Sequence, residues 1–237
     1  MRALFLIVMA FTIQLNLNAQ LSKVHYVPPI AYSSEASSNA IPNQGHYFYI
    51  STPSTTSVTV VITPVGAVSS TIQVSNSIPH KFEIDAPGGL HSSQIAIGAS
   101  SSDVVSNTSR VVTDKGYIVE ATAAIYVALR IGESNQAGAL VSKGGAALGT
   151  DFRIGGFTNY RPHQKLDYST FLSVMATENA TLITINNIPD RVDIIDFDEI
   201  ALGDSGGMLN DISRTLERGE SYTIVTRSDQ GVLVGSF

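Results

Sequence analysis

Apolar and polar residues alternate along this chain with a period of two, and a helical period is almost absent. Val58-Thr59-Val60 and Ile183-Thr184-Ile185 set an apolar side chain at every other position, which predicts strands with one buried and one wet face. Tyr117-Ile118-Val119 and Ile125-Tyr126-Val127 are continuously apolar and predict central strands. Strand-like runs cover His46–Ser51, Ser57–Thr63, Thr71–Val74, Lys81–Ile84, Gln94–Ile97, Tyr117–Ala121 and Ile125–Ile131. They continue over Ala139–Ser142, Phe152–Ile154, Thr170–Ala176, Thr181–Asn186, Val192–Phe197, Ser221–Thr226 and Val232–Phe237. Val, Ile, Thr, Tyr and Phe dominate these runs, and clusters of Gly, Pro, Asn and Ser separate them. The fold class is therefore all-β, with one or two antiparallel β-sandwich units.

A weak internal repeat relates those units. Ile50-Ser51-Thr52-Pro53 followed by Val58–Ile62 resembles Val174-Met175-Ala176-Thr177 followed by Thr181–Ile185. Lys81–Ile84 corresponds to Ser221–Ile224, and Gly116–Val119 to Gly231–Val234. A meander of this size does not close a core alone. The predicted layout is a signal peptide over 1–19, a loosely held lead-in over 20–45, a first β unit over 46–168 and a second over 169–237. The second unit lacks a counterpart to Ile125–Ile131, so the expectation is that this chain is the N-terminal part of a longer protein; a genuine final strand is the alternative.

The signal peptide rests on Arg2, the apolar run Leu4–Ile13 and the small and polar residues up to Ala19, ahead of Gln20. Cleavage there leaves 218 of 237 residues. That export predicts a secreted or outer-surface location. Composition agrees: 43% of residues are hydrophobic and only 14% charged, against about 25% in an average domain. The wet surface is then made of hydroxyls and amides. A net charge of −6 weighs against nucleic acid, which needs a basic footprint, and against an anionic membrane surface. No later segment reads as a transmembrane segment. The chain has no cysteine, which removes disulfides, thiol catalysis and thiolate metal sites. It has no tryptophan, which weighs against a sugar-stacking platform.

Several stretches together resemble a known family. They are Lys23–Pro29, Tyr47–Pro53, Asp114–Ala121, Gln136–Gly144, Ala147–Thr150, Ser173–Glu178 and Gly219–Ile224. In this order they resemble the N-terminal region of large Bacteroidota surface proteins related to the IgGFc-binding protein N-terminal domain. Such proteins often end in a gliding-motility-associated, type IX secretion sorting domain. The resemblance spans nearly all of the chain after residue 19. It implies export to the cell surface and a β-rich module, and names no ligand. These 237 residues include no sorting domain, so surface attachment by that route depends on a longer chain.

Four groups of residues could carry chemistry. Gly203-Asp204-Ser205-Gly206-Gly207 matches the nucleophile loop of trypsin-like proteases. Its context fails: His25, His46, His80, His91 and His163 sit in other settings, and Met208-Leu209-Asn210 follows the loop. A polar turn explains the string. Asp190, Asp193, Asp196, Asp198 and Glu199 form an acidic cluster. Asp193, Asp196 and Asp198 are the candidate ligands for calcium, which takes six to eight oxygens, although their spacing matches no EF-hand. A solvated edge whose charge blocks sheet pairing is the plain alternative. Gly144–Gly149 lacks the Lys-Ser/Thr of a phosphate loop and reads as a turn between strands. Tyr47 and Tyr49 share one strand face, and Tyr26, Tyr32 and Tyr160 add rings, so Tyr47, Tyr49 and Tyr160 are the candidate binding residues. Packing across strands is the competing role for such rings. Asn107-Thr108-Ser109 and Asn179-Ala180-Thr181 fit a glycan acceptor pattern and are given no role.

The expected function is an exported surface β module that binds a protein or glycan, without catalysis or cofactor other than candidate calcium. Pairing at an exposed strand edge is one mode of binding. The alternatives are a secreted hydrolase using Ser205, or carboxylates such as Asp193 and Asp196, and a structural spacer presenting another domain.

Overall fold

The computed structural model describes residues 20–31, 46–84, 94–97, 108–132, 137–153, 171–188 and 211–225. In chain order the first strands are β1 (Ser22–Val27), β2 (Ile30–Ala31), β3 (His46–Ser51), β4 (Val58–Pro64), β5 (Ser70–Val74), β6 (His80–Glu83), β7 (Ala96–Ile97) and β8 (Val111–Val112). The rest are β9 (Tyr117–Gly132), β10 (Ala137–Ser142), β11 (Phe171–Met175), β12 (Thr181–Ile185), β13 (Ile212–Leu216) and β14 (Ser221–Val225). A single 3-10 turn, Gly144–Ala147, follows β10. The described residues form an all-β structure, antiparallel throughout except for the short β2–β7 pair.

The two central strands predicted at Tyr117–Ala121 and Ile125–Ile131 are one strand of sixteen residues, β9. Its first part pairs with β4 on one edge and β1 on the other. Its last part pairs with β3 and β10. β3 and β4 therefore run one after the other along one edge of β9, and β10 and β1 share the opposite edge. β5 flanks β4 and β6 flanks β3. The result is one seven-stranded sheet made of two halves, joined where β9 passes from one to the other.

Sequence explains the joint. Pro53 has no backbone N–H and cannot continue the β3 ladder. Side chains take over there. The Thr52 hydroxyl donates to the Ala124 carbonyl at 2.8 Å, and the Thr59 N–H donates to the Thr122 hydroxyl at 3.1 Å. On the flanking strands the Asn76 N–H donates to the Ser54 carbonyl at 2.8 Å. Strands that bend at such corners let two half-sheets face each other.

The inner faces follow the predicted alternation. Val58, Val60 and Ile62 are buried, while Thr59, Val61 and Thr63 are only half-buried. Phe48 of the β3 half meets Tyr117 of the β4 half edge to face, with ring centroids 5.2 Å apart. Ile50, Val119, Ile125, Val127 and Leu129 complete this core with Val27 and Ile30.

A second apolar cluster is built by Ala176, Ile185, Ile188, Ile212, Leu216, Tyr222 and Ile224. Here β11 pairs with β14 and β12 with β13. That repeats the pairing of β3 with β6 and β4 with β5, so the sequence repeat is also a repeat of topology. The corner lies at 176–180, where the Ala176 N–H donates to the Glu220 carbonyl and the Gly219 N–H to the Ala176 carbonyl.

Three features differ from the sequence pattern. Ser22–Val27, placed in the loose lead-in, is a strand of the large sheet. Val111–Val112, within the range of the first unit, pairs with β14 of the second, so a boundary at 168/169 cuts through that sheet. Phe152 and Arg153, of the predicted run Phe152–Ile154, form no strand, and Ile154 lies outside the described residues.

Phe48→Ala should cost about 3–5 kcal/mol, because it removes a fully buried ring at the point where the half-sheets touch. Chemical denaturation of residues 20–237 measures this. A loss below about 1 kcal/mol would mean that the two inner faces do not depend on this contact.

Candidate functional site

The outer face of the β3 half carries the exposed aromatic side chains of the large sheet. Side chains opposite each other in an antiparallel pair project to the same side. Tyr47 and Tyr49 on β3 therefore share a face with Glu83 and Lys81 on β6. On β9 their neighbours are Arg130 and Ala128, and Ser51 faces Tyr126. On β10 the row continues with Ala139 and Val141. Tyr49 is 41% exposed, Tyr126 38% and Val141 51%. Ala128 gives this face a low floor between Tyr49 on one side and Val141 on the other, and Ala139 lies across from Arg130.

The two β3 tyrosines play different parts. Tyr47 is half-buried, with the Lys81 ammonium 3.6 Å above its ring centroid and the Tyr49 ring 6.5 Å away. A cation over a ring face is held by the ring quadrupole, so Tyr47 positions both Lys81 and Tyr49. Tyr49 turns its ring outward. Tyr126 joins it from the next strand, about 7–8 Å away along the diagonal. The apolar run Ile125-Tyr126-Val127 concealed Tyr126. Its parity reveals it, because Ile125 and Val127 point inward and Tyr126 must point out.

The outer face of the β4 half is covered. Tyr26, Ile118 and Thr63 lie on it, and the corner of the second unit sits against them. The Arg218 guanidinium donates to the Glu120 carboxylate at 3.0 Å and to the Tyr26 hydroxyl at 3.3 Å. Those two partners also raise the Arg218 pKa, the Tyr26 hydrogen bond most strongly. A methyl on Gly219 would touch Ile118 and Val65, so the turn lies directly on the sheet. Gly116, at φ +100°, has room for no side chain beneath Met175 and the Val27 carbonyl. Asn179, part of a glycan acceptor pattern, accepts the Arg218 N–H through its side-chain oxygen and helps to form this corner.

A third constellation sits at the opposite edge of the β9 bend. His25 is fully buried. Its Nε2 lies 3.1 Å from the Ile125 carbonyl and 3.2 Å from the Ser22 carbonyl, so that nitrogen carries a proton. Its Nδ1 is 2.9 Å from the Ser142 hydroxyl. In the neutral ring Nδ1 accepts, and Ser142 donates to it while accepting the Gly144 N–H. A serine beside an oriented histidine resembles a nucleophile with its base. Here the ring is sealed, and a Cβ on Gly144 (φ +52°) would strike Ser22 and crowd the imidazole. The four groups clamp β1, β9 and β10 together.

Tyr160, the calcium candidates Asp193, Asp196 and Asp198, and the Gly203–Gly207 loop with Ser205 lie outside the described residues. Among the described residues there is no group of three or more His, Cys, Asp or Glu that could hold a metal. No helix among them is long and apolar enough to cross a membrane. Comparison with protein-family models, curated proteins and solved structures gives no match.

Burial lowers the His25 pKa below its ordinary value of 6.5, against a smaller raising effect of the Ile125 and Ser22 carbonyls. The folded chain then binds fewer protons than the unfolded chain as pH falls below about 6.5. Its contribution to stability is complete above that pH and is lost on acidification. Thermal melting of the wild type is expected to drop more steeply between pH 7 and pH 5 than that of His25→Asn. Parallel pH slopes would assign the acid sensitivity to other groups.

Proposed function

We propose that this chain is an exported β module of the bacterial surface that binds a ligand and performs no catalysis. The observation that carries the proposal is the open outer face of the β3 half. Tyr49 and Tyr126 are presented there on a rigid sheet, with Lys81 and Arg130 beside them. Tyrosine suits recognition because it offers a wide apolar body and a polar tip at little cost in side-chain freedom. A purely structural spacer has no need of two tyrosine rings exposed on neighbouring strands beside two cations. The N-terminal pattern Arg2, Leu4–Ile13, Ala19 supports export. The resemblance to Bacteroidota surface proteins supports the surface location.

The test is binding of residues 20–237 to a panel of immobilised surface proteins and polysaccharides, compared with the variant Tyr49→Ala/Tyr126→Ala. Removing two stacking rings should weaken a true ligand about tenfold or more while leaving the melting temperature close to wild type. A ligand held equally by both proteins would move the binding surface elsewhere. Labelling by a serine-directed fluorophosphonate, lost in Ser205→Ala, would replace a binding module with a hydrolase.

A further inference from the structure

We propose that the open face of the β3 half takes an acidic polysaccharide, a sugar chain bearing carboxylate or sulfate groups. This deepens the binding role given above and rests on it.

Charge points to the ligand class. The whole chain carries −6, yet the outer face of the β3 half sets two cations, Lys81 and Arg130, against one carboxylate, Glu83. Among the described residues neither cation forms an ion pair with a carboxylate. Arg218, on the covered side, spends its charge on Glu120. Lys81 is held over Tyr47 with its charge unneutralised. Arg130 lies across from Tyr47 on the next strand and offers a planar fork of donors that fits a carboxylate or sulfate.

Shape points to a sugar and not to a peptide side chain. The floor at Ala128 is shallow, and the strands on either side of it lie about 4.8 Å away, so a flat ring can rest across it between Tyr49 and Val141. Tyr49 and Tyr126 stand at the margin of that floor. A sugar ring laid against a tyrosine presents its C–H groups to the negative ring face. Its acidic substituent then reaches Lys81 or Arg130. An apolar peptide anchor would need a pocket, and this face is open. The lack of tryptophan does not prevent stacking, since tyrosine supplies the same apolar face over a smaller area.

The experiment is titration calorimetry on residues 20–237 with polygalacturonate and alginate as carboxylated probes and dextran sulfate as a sulfated one. Fully methyl-esterified polygalacturonate is the uncharged control, and poly-glutamate is the acidic peptide control. The expected result is binding of at least one acidic polysaccharide, at least tenfold weaker for its uncharged counterpart, esterified polygalacturonate or dextran. It should fall at least tenfold in Lys81→Gln/Arg130→Gln and again in Tyr49→Ala/Tyr126→Ala, and weaken with added salt. The carboxylated and sulfated arms identify which acid is preferred. Equal binding of charged and uncharged sugars, or undiminished binding by the charge variant, would overturn the inference. So would poly-glutamate binding as tightly as the sugars and indifferent to the tyrosines. If none of the acidic sugars binds while another ligand is still lost in Tyr49→Ala/Tyr126→Ala, the ligand class is wrong and the binding face stands.

Discussion

The bend in β9 governs the rest of this structure. A sheet with one apolar face must bury it, and this one does so by folding across its own middle. The strands beside β9 must then break their ladders at the same level, which leaves backbone groups to be satisfied. Side chains do this on both edges. Thr52 serves the Ala124 carbonyl and Thr122 serves the Thr59 N–H on one edge, while buried His25 serves the Ile125 carbonyl on the other. An unpaired buried polar group costs about 1–3 kcal/mol, and of the three positions the Ile125 carbonyl is the buried one. This accounts for a fully buried histidine at the bend.

The second unit bends by the same plan with different chemistry. Its corner is stabilised by the Glu217 and Asn179 side chains, which accept the Ala180 and Arg218 N–H groups. These are an exposed carboxylate and an exposed amide where the first corner uses hydroxyls. The difference follows from position: the second corner projects its Arg218 onto the first sheet, where Glu120 and Tyr26 await it. A repeated topology has thus been fitted at one corner to serve as a joint between units.

The alternation of apolar residues made the class of fold legible, and the match of Val58–Ile62 with Thr181–Ile185 made its internal repeat legible. What escaped was set by contacts far along the chain. Thr122 to Ala124 looked like a gap because small residues and a threonine carry no strand signal, yet pairing before and after them keeps β9 continuous. Ser22–Val27 escaped as a strand because its buried residues include a histidine two of whose partners lie 100 and 117 residues away. Of the candidate site, Tyr49 was legible from its spacing with Tyr47, and Tyr126 was hidden by the apolar residues on either side. Tyr47 itself is a support for Lys81, a role that depends on the neighbouring strand and leaves no local trace.

One folded sheet produces two outer faces, and they meet different fates. The face on the β4 half is covered by the second unit, and its cation is Arg218, brought in by the covering corner and already matched with Glu120. On the β3 half, Lys81 and Arg130 form no ion pair among the described residues and lie beside outward-turned tyrosines. An exposed, well-matched ion pair contributes little to stability, and an unmatched exposed cation contributes less. Apart from the contact of Lys81 with the Tyr47 ring, folding makes little use of these cations, and in a chain with few charges and a net negative balance their place beside Tyr49 and Tyr126 is the basis of the proposed binding role.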